Sequence, residues 1–164
     1  VIPDKRFKEQ TMQILELANT CFTARGHPLT LVHYAEGAAL AAAKSLHAEA
    51  VAIDERITRE LIEHPQHLLR IMRHKLHTPI SPNQRCLRQL KEEIGMLNVI
   101  RSVELVTIAF EQGMLDRYIA PGEEKIIPHL RRTLLESVLW GMKTDGCAVS
   151  RREIERVLKM EQLK

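Results

Sequence analysis

Tyr34-Ala35-Glu36-Gly37-Ala38-Ala39-Leu40-Ala41-Ala42-Ala43 is followed, after six intervening residues, by Ala50-Val51-Ala52-Ile53-Asp54-Glu55-Arg56. The first run predicts an Ala-rich helix from Tyr34 to Leu46, whose small side chains let its backbone pack closely against a sheet or another helix. The second is short, apolar, partly β-branched and ends on an acid, the pattern of a short buried strand. A helix, a buried strand and then a charged helix over Glu55 to Glu63 is the rhythm of a parallel α/β sheet.

Working outward, Met12, Leu15, Ala18, Cys21 and Phe22 predict a helix over residues 9–24, broken by Arg25-Gly26-His27-Pro28. On the other side, Pro65 suits the first turn of a helix reaching Leu76, and Pro79 and Pro82 mark a connector. Asn83 caps a helix to Glu93, and Gly95 precedes a second apolar strand, Leu97 to Ile100. Val103 to Gln112 is helical and stopped by Gly113. A long helix is expected from Ile126 to Met142, with Trp140 and Met142 as core or oligomer contacts. Ser150-Arg151-Arg152-Glu153 is a capping-box pattern opening a final helix. With no internal repeat or low-complexity linker, the expected organisation is an α/β domain over 1–120, with a helical insertion near 64–93. Helices over 121–164 would extend it and pack on the same domain.

Composition narrows the classes of function. The 45% hydrophobic and 27% charged fractions of the 164 residues are those of a folded chain. No apolar run approaches the roughly 20 residues that span a bilayer. Six aromatic residues count against single-strand binders that stack bases on Phe and Tyr platforms. Cys21, Cys86 and Cys147 are scattered, which fits a reducing compartment, and the expected location is the cytoplasm. Cys147 has no evident base beside it and is not read as a nucleophile.

The formal charge of +3 conceals an uneven distribution. Arg56, Arg59, Arg70, Arg73, Lys75, Arg85, Arg88 and Lys91 face only Glu60 and Glu63 in their segment, a local +6. Such a segment reads either as a face that grips RNA phosphates or as a solvated helix surface. His64, His67, His74 and His77 share it. His67 and His74 lie about 10 Å apart along a helix axis, too far to share one ion, so zinc is not expected.

Three acids stand out by position. Glu36 opens the Ala-rich helix, Asp54 ends the first strand and Glu104 follows the second. Ligands of open α/β sheets bind beyond the carboxyl ends of strands, and carboxylates there suit a hard divalent cation. The alternative is that Glu36 favours a helix N-terminus electrostatically while Asp54 caps the helix after it.

Taken in order, the two opening runs resemble the middle of a PIN-domain nuclease, where an acid begins an Ala-rich helix and a hydrophobic strand ends in Asp, a second acid and Arg. Val99-Ile100-Arg101-Ser102-Val103-Glu104-Leu105-Val106-Thr107-Ile108-Ala109-Phe110-Glu111-Gln112-Gly113-Met114-Leu115 is similar to that family's last strand and helix. Leu134 to Leu158 is similar to the C-terminal helices of one archaeal and bacterial subgroup. The resemblance implies a PIN-like α/β fold, with a short parallel sheet flanked by many helices and a helical C-terminal extension. It also implies a metal-dependent endoribonuclease using Mg²⁺ or Mn²⁺, with Glu36 and Asp54 as metal-site acids and Glu104 assisting. RNA is the implied substrate, with a homo-oligomer or an antitoxin-like or processing partner. The family's first acid ends an N-terminal strand, which Val1-Ile2-Pro3-Asp4 does not match, so either that strand is expected upstream of Val1 or the acid cluster is incomplete. Arg101-Ser102 stands where the family has Gly-Thr. Two rivals accompany this reading: a non-catalytic PIN-like interaction module, and an all-helical regulator in which 50–54 and 97–100 are not strands.

Overall fold

The computed structural model describes residues 5–125 and 127–161, the side chain of Glu124 excepted. Val1-Ile2-Pro3-Asp4 and the expected helix start at Ile126 lie outside them. The described chain forms two compact units, residues 1–99 and 100–164.

In the first unit, α1 (Lys5–Thr20) leads into β1 (Phe22–Ala24) and β2 (His27–Pro28). Arg25 and Gly26 both have positive φ, 51° and 82°, and the register pairs Ala24 with His27. A two-residue turn of that handedness matches the twist of paired strands, so the sequence break at 25–28 is a hairpin. Then come α2 (Tyr34–Ser45), β3 (Ala50–Ala52), α3 (Arg56–Glu63), α4 (Pro65–Leu76), β4 (Ile80–Pro82), α5 (Gln84–Ile94) and β5 (Asn98–Ile100). The last of these crosses the boundary between the units.

Within the expected strands at 50–54 and 97–100, Ala50–Ala52 and Asn98–Ile100 are extended and pair with each other as β3 and β5, which excludes the all-helical reading. The backbone and side-chain amides of Asn98 both donate to the Glu49 carbonyl at 3.2 Å. A second sheet, of order β2-β1-β4, is antiparallel, with Phe22 opposite Pro82 and Ala24 opposite Ile80. It corrects two expectations. The first helix ends at Thr20 rather than residue 24, because Phe22 to Ala24 extend to pair; and the Pro79–Pro82 connector is itself a strand. The fold is therefore α/β and mostly helical, with small sheets, one of them antiparallel.

One core joins Ile14 and Ala18 of α1, Phe22, Leu40 of α2, Ile53, Leu61, Leu68, Ile80 and Leu90. The Ala-rich helix does pack closely, against α1. A Cβ at Gly37 would come within 2.7 Å of Leu15 Cδ2 and 2.8 Å of Cγ, so only glycine lets the two helices approach this far.

The second unit holds α6 (Ser102–Glu111), two short 3₁₀ turns, α7 (Leu130–Thr144) and α8 (Arg151–Glu161). Val103, Phe110, Leu135, Leu139, Ile154 and Leu158 form its core, and Trp140 and Met142 pack against it as expected of core residues. The capping box at Ser150 is present in both directions: Ser150 N–H donates to Glu153 Oε2 at 2.8 Å, and Glu153 N–H to Ser150 Oγ at 3.2 Å. Among the described residues no helix is long and apolar enough to cross a membrane.

Candidate functional site

Glu36 lies in the first turn of α2, which advances about 14 Å from there to Ser45. Four residues link α2 to β3, which packs on it, and Asp54 follows two residues beyond the strand's end at Ala52.

The segment entering α2 is held by Asn19, near the end of α1. Its Oδ1 accepts from the amides of Leu31 at 2.7 Å and Val32 at 2.9 Å, and its Nδ2 donates to the Val32 carbonyl at 3.0 Å. A loop with no regular structure thus has a fixed exit into the helix that begins at Tyr34. Asn19 escapes sequence reading because its partners are 12 and 13 residues away; only its place on an otherwise apolar helix face hinted at a role.

Glu36 is half-buried, and its Oε2 is fully buried with no hydrogen-bond partner among the described residues. Leaving such an oxygen unpaired costs about 1–3 kcal/mol, and more if it is charged. Asp54 follows Ile53, which is anchored in the core. It does not cap the next helix: Glu55 does, its carboxylate accepting from the amides of Ile57 at 2.8 Å and Thr58 at 2.5 Å. That consumes Glu55, the second acid of the Asp-Glu-Arg run, in a structural role. Thr58 Oγ1 and Arg59 Nε, one turn into α3, are likewise buried without partners.

Glu104 lies in the second unit, where, as the third residue of α6, its Oε2 accepts the Arg101 amide at 2.8 Å and so caps the start of the helix. Arg101 is itself a buried strut. It is 7% exposed and donates to Glu153 Oε1 and the Ala148 carbonyl, both at 2.6 Å. The residue that departs from the PIN pattern therefore has a structural purpose of its own. Among the described residues, no group of three or more His, Cys, Asp or Glu side chains is placed to hold a metal ion. Mg²⁺ keeps several of its waters and needs only one or two protein carboxylates, so a single carboxylate oxygen without a donor is chemically suited to such an ion. The orphaned Glu36 oxygen fits such an ion.

The basic segment divides into separate parts. Arg56, Arg70 and Lys75 line a cleft with His67 and His74. Arg73 instead donates from Nε and Nη2 to the Ile80 carbonyl at 3.1 and 2.7 Å, tying α4 to β4, so its guanidinium is occupied. Arg59 is half-buried, while Arg85 and Arg88 are exposed on α5. The Cys21 thiol is pushed up to about 12 by burial and then by the nearby Cys86, which makes it a poor nucleophile.

Comparison with protein-family models, with curated proteins and with solved structures finds no match to this chain.

Proposed function

We propose that this chain is a metal-dependent endoribonuclease of PIN type, hydrolysing RNA phosphodiesters with Mg²⁺ or Mn²⁺ held by Glu36 and Asp54. The observation that carries the reading is the buried Glu36 Oε2 in the first turn of α2, which has no hydrogen-bond partner among the described residues. A carboxylate oxygen taken out of water without a donor is stabilised best by a cation. The bound ion supplies an activated water and relief of the negative charge that develops on the phosphoryl oxygens. The chain's own contribution is positional: Asn19 sets the entry to α2, Ile53 anchors the strand end, and Glu55 satisfies the helix that follows. Arg56, two residues beyond Asp54, supports the RNA backbone.

Cleavage of a single-stranded RNA with Mg²⁺ or Mn²⁺ tests the proposal beside Mn²⁺ titration followed by electron paramagnetic resonance. Glu36→Gln and Asp54→Asn are each expected to lower cleavage at least 100-fold and to weaken Mn²⁺ binding. Unchanged cleavage in both variants would sink the site assignment. A second reading, a non-catalytic PIN-like nucleic-acid-binding module, draws on the engagement of Glu104 in its own helix cap. It predicts RNA binding without cleavage at any divalent concentration.

A further inference from the structure

α3 and α4 flank a shallow cleft of about 460 Å³ lined by Arg56, His67, Arg70, Ile71, His74 and Lys75. On α4 His67, Arg70 and His74 recur three and four residues apart, with Lys75 next to the last of them, on a face away from the buried Leu68, Leu69 and Met72. Glu60 is the carboxylate that meets this group. Its Oε2 lies 2.7 Å from His67 Nδ1 and its Oε1 3.9 Å from Arg56 Nε, so both oxygens are already engaged. Among the described residues, no ion pair joins Arg70 or Lys75 to an acid. Three permanent cations thus share a concave surface with one carboxylate. Like charges a turn apart repel, and a bound anion would relieve that.

The geometry points to this cleft as the subsite for backbone phosphates of an RNA strand, with Arg70, Lys75 and His74 as the ligating side chains. Its length favours a strand over a single ion: His67 to Lys75 covers about 12 Å of helix axis, and one strand of a duplex carries a phosphate for about every 3.4 Å of its axis, so more than one phosphate fits along it. The cleft also selects within the basic segment. Arg73 is spent on β4, and Arg85 and Arg88 stand on another helix, so neither set belongs to the subsite. This deepens the ribonuclease reading by naming where the strand is gripped, yet it concerns binding alone.

Fluorescence anisotropy of a labelled 20-nucleotide single-stranded RNA, in EDTA and from 50 to 200 mM KCl, separates it from cleavage. Arg70→Glu/Lys75→Glu is expected to weaken binding at least tenfold and to reduce the slope of log affinity against log salt by about 1.4, the value for two lost contacts to a single strand. Arg85→Ala/Arg88→Ala is expected to leave both within twofold, and circular dichroism of each variant checks folding. Proton NMR of the His74 ring during titration with inorganic phosphate provides the second arm, with a shift expected in the unaltered chain and none in Arg70→Glu/Lys75→Glu. Wild-type affinity in Arg70→Glu/Lys75→Glu overturns the subsite, even if phosphate alone still moves the His74 signal, because the cleft would then take free phosphate and not RNA. Absence of RNA binding by the unaltered chain, or an equal loss in the α5 variant, overturns it as well. Loss of cleavage with RNA binding intact in Glu36→Gln leaves the subsite standing.

Discussion

Glu36 and Glu153 each sit near the start of a helix, one in each unit, and they meet opposite fates. Glu153 is saturated: it accepts from Arg101 and from the Ser150 amide, and it completes a capping box. Glu36 Oε2 is buried with nothing bonded to it. Burial alone would raise the Glu153 pKa. The hydrogen bonds from Arg101 and Ser150, together with the Arg101 charge, overcome that and hold it near 2, below the ordinary 4.5. The contrast separates a carboxylate engaged in holding a fold from one whose buried oxygen has no partner among the described residues, a distinction that sequence position does not reveal.

The contrast is broken most severely by removing Arg101. Arg101→Ala leaves Glu153 and the Ala148 carbonyl without their donors, and is expected to cost the second unit about 3 kcal/mol. Urea denaturation, with hydrogen exchange over residues 102–161, measures it; exchange in the first unit should stay unchanged. Next in size is the response to acid. Because the folded Glu153 pKa is depressed, its stabilisation is fully present above about pH 4.5 and is lost as pH falls toward 2. The side chain is 35% exposed, so screening reduces the contribution to about 1 kcal/mol. Thermal unfolding across that window should show the loss in the unaltered chain and a flatter profile in Arg101→Ala. The smallest effect belongs to Glu36→Gln, which exchanges a carboxyl with one unpartnered oxygen for an amide of the same shape and is expected to leave thermal stability within about 0.5 kcal/mol, or to raise it. A loss above 2 kcal/mol would show Glu36 to be structural like Glu153 and would remove the basis for the metal site.

Much of the local structure was legible. Pro65 opens α4, Asn83 caps α5 through its Oδ1, and Ser150 and Glu153 form their reciprocal cap, because each depends on neighbours within one turn. The β1–β4 pairing was not legible. Its strands have three residues each, too short for an alternation to register, and they come together across nearly 60 residues of chain. Proline at positions 79 and 82 further disguised β4, although Pro82 sits at its end, where a missing N–H is tolerated.

The candidate site divides in the same way. The sequence by itself determined which acids begin a helix or end a strand, since those placements follow from periodicity, and it determined that positive charge concentrates between Arg56 and Lys91. Only the tertiary structure decided which of those charges are free to act. Glu55 and Glu104 are consumed by helix caps, Arg73 by the Ile80 carbonyl and Arg101 by Glu153, whereas Glu36 Oε2 is left unpaired. The reason is physical: a charged side chain takes the partner within reach, and for Arg101 the decisive partner lies 52 residues along the chain, at a position that folding alone brings near.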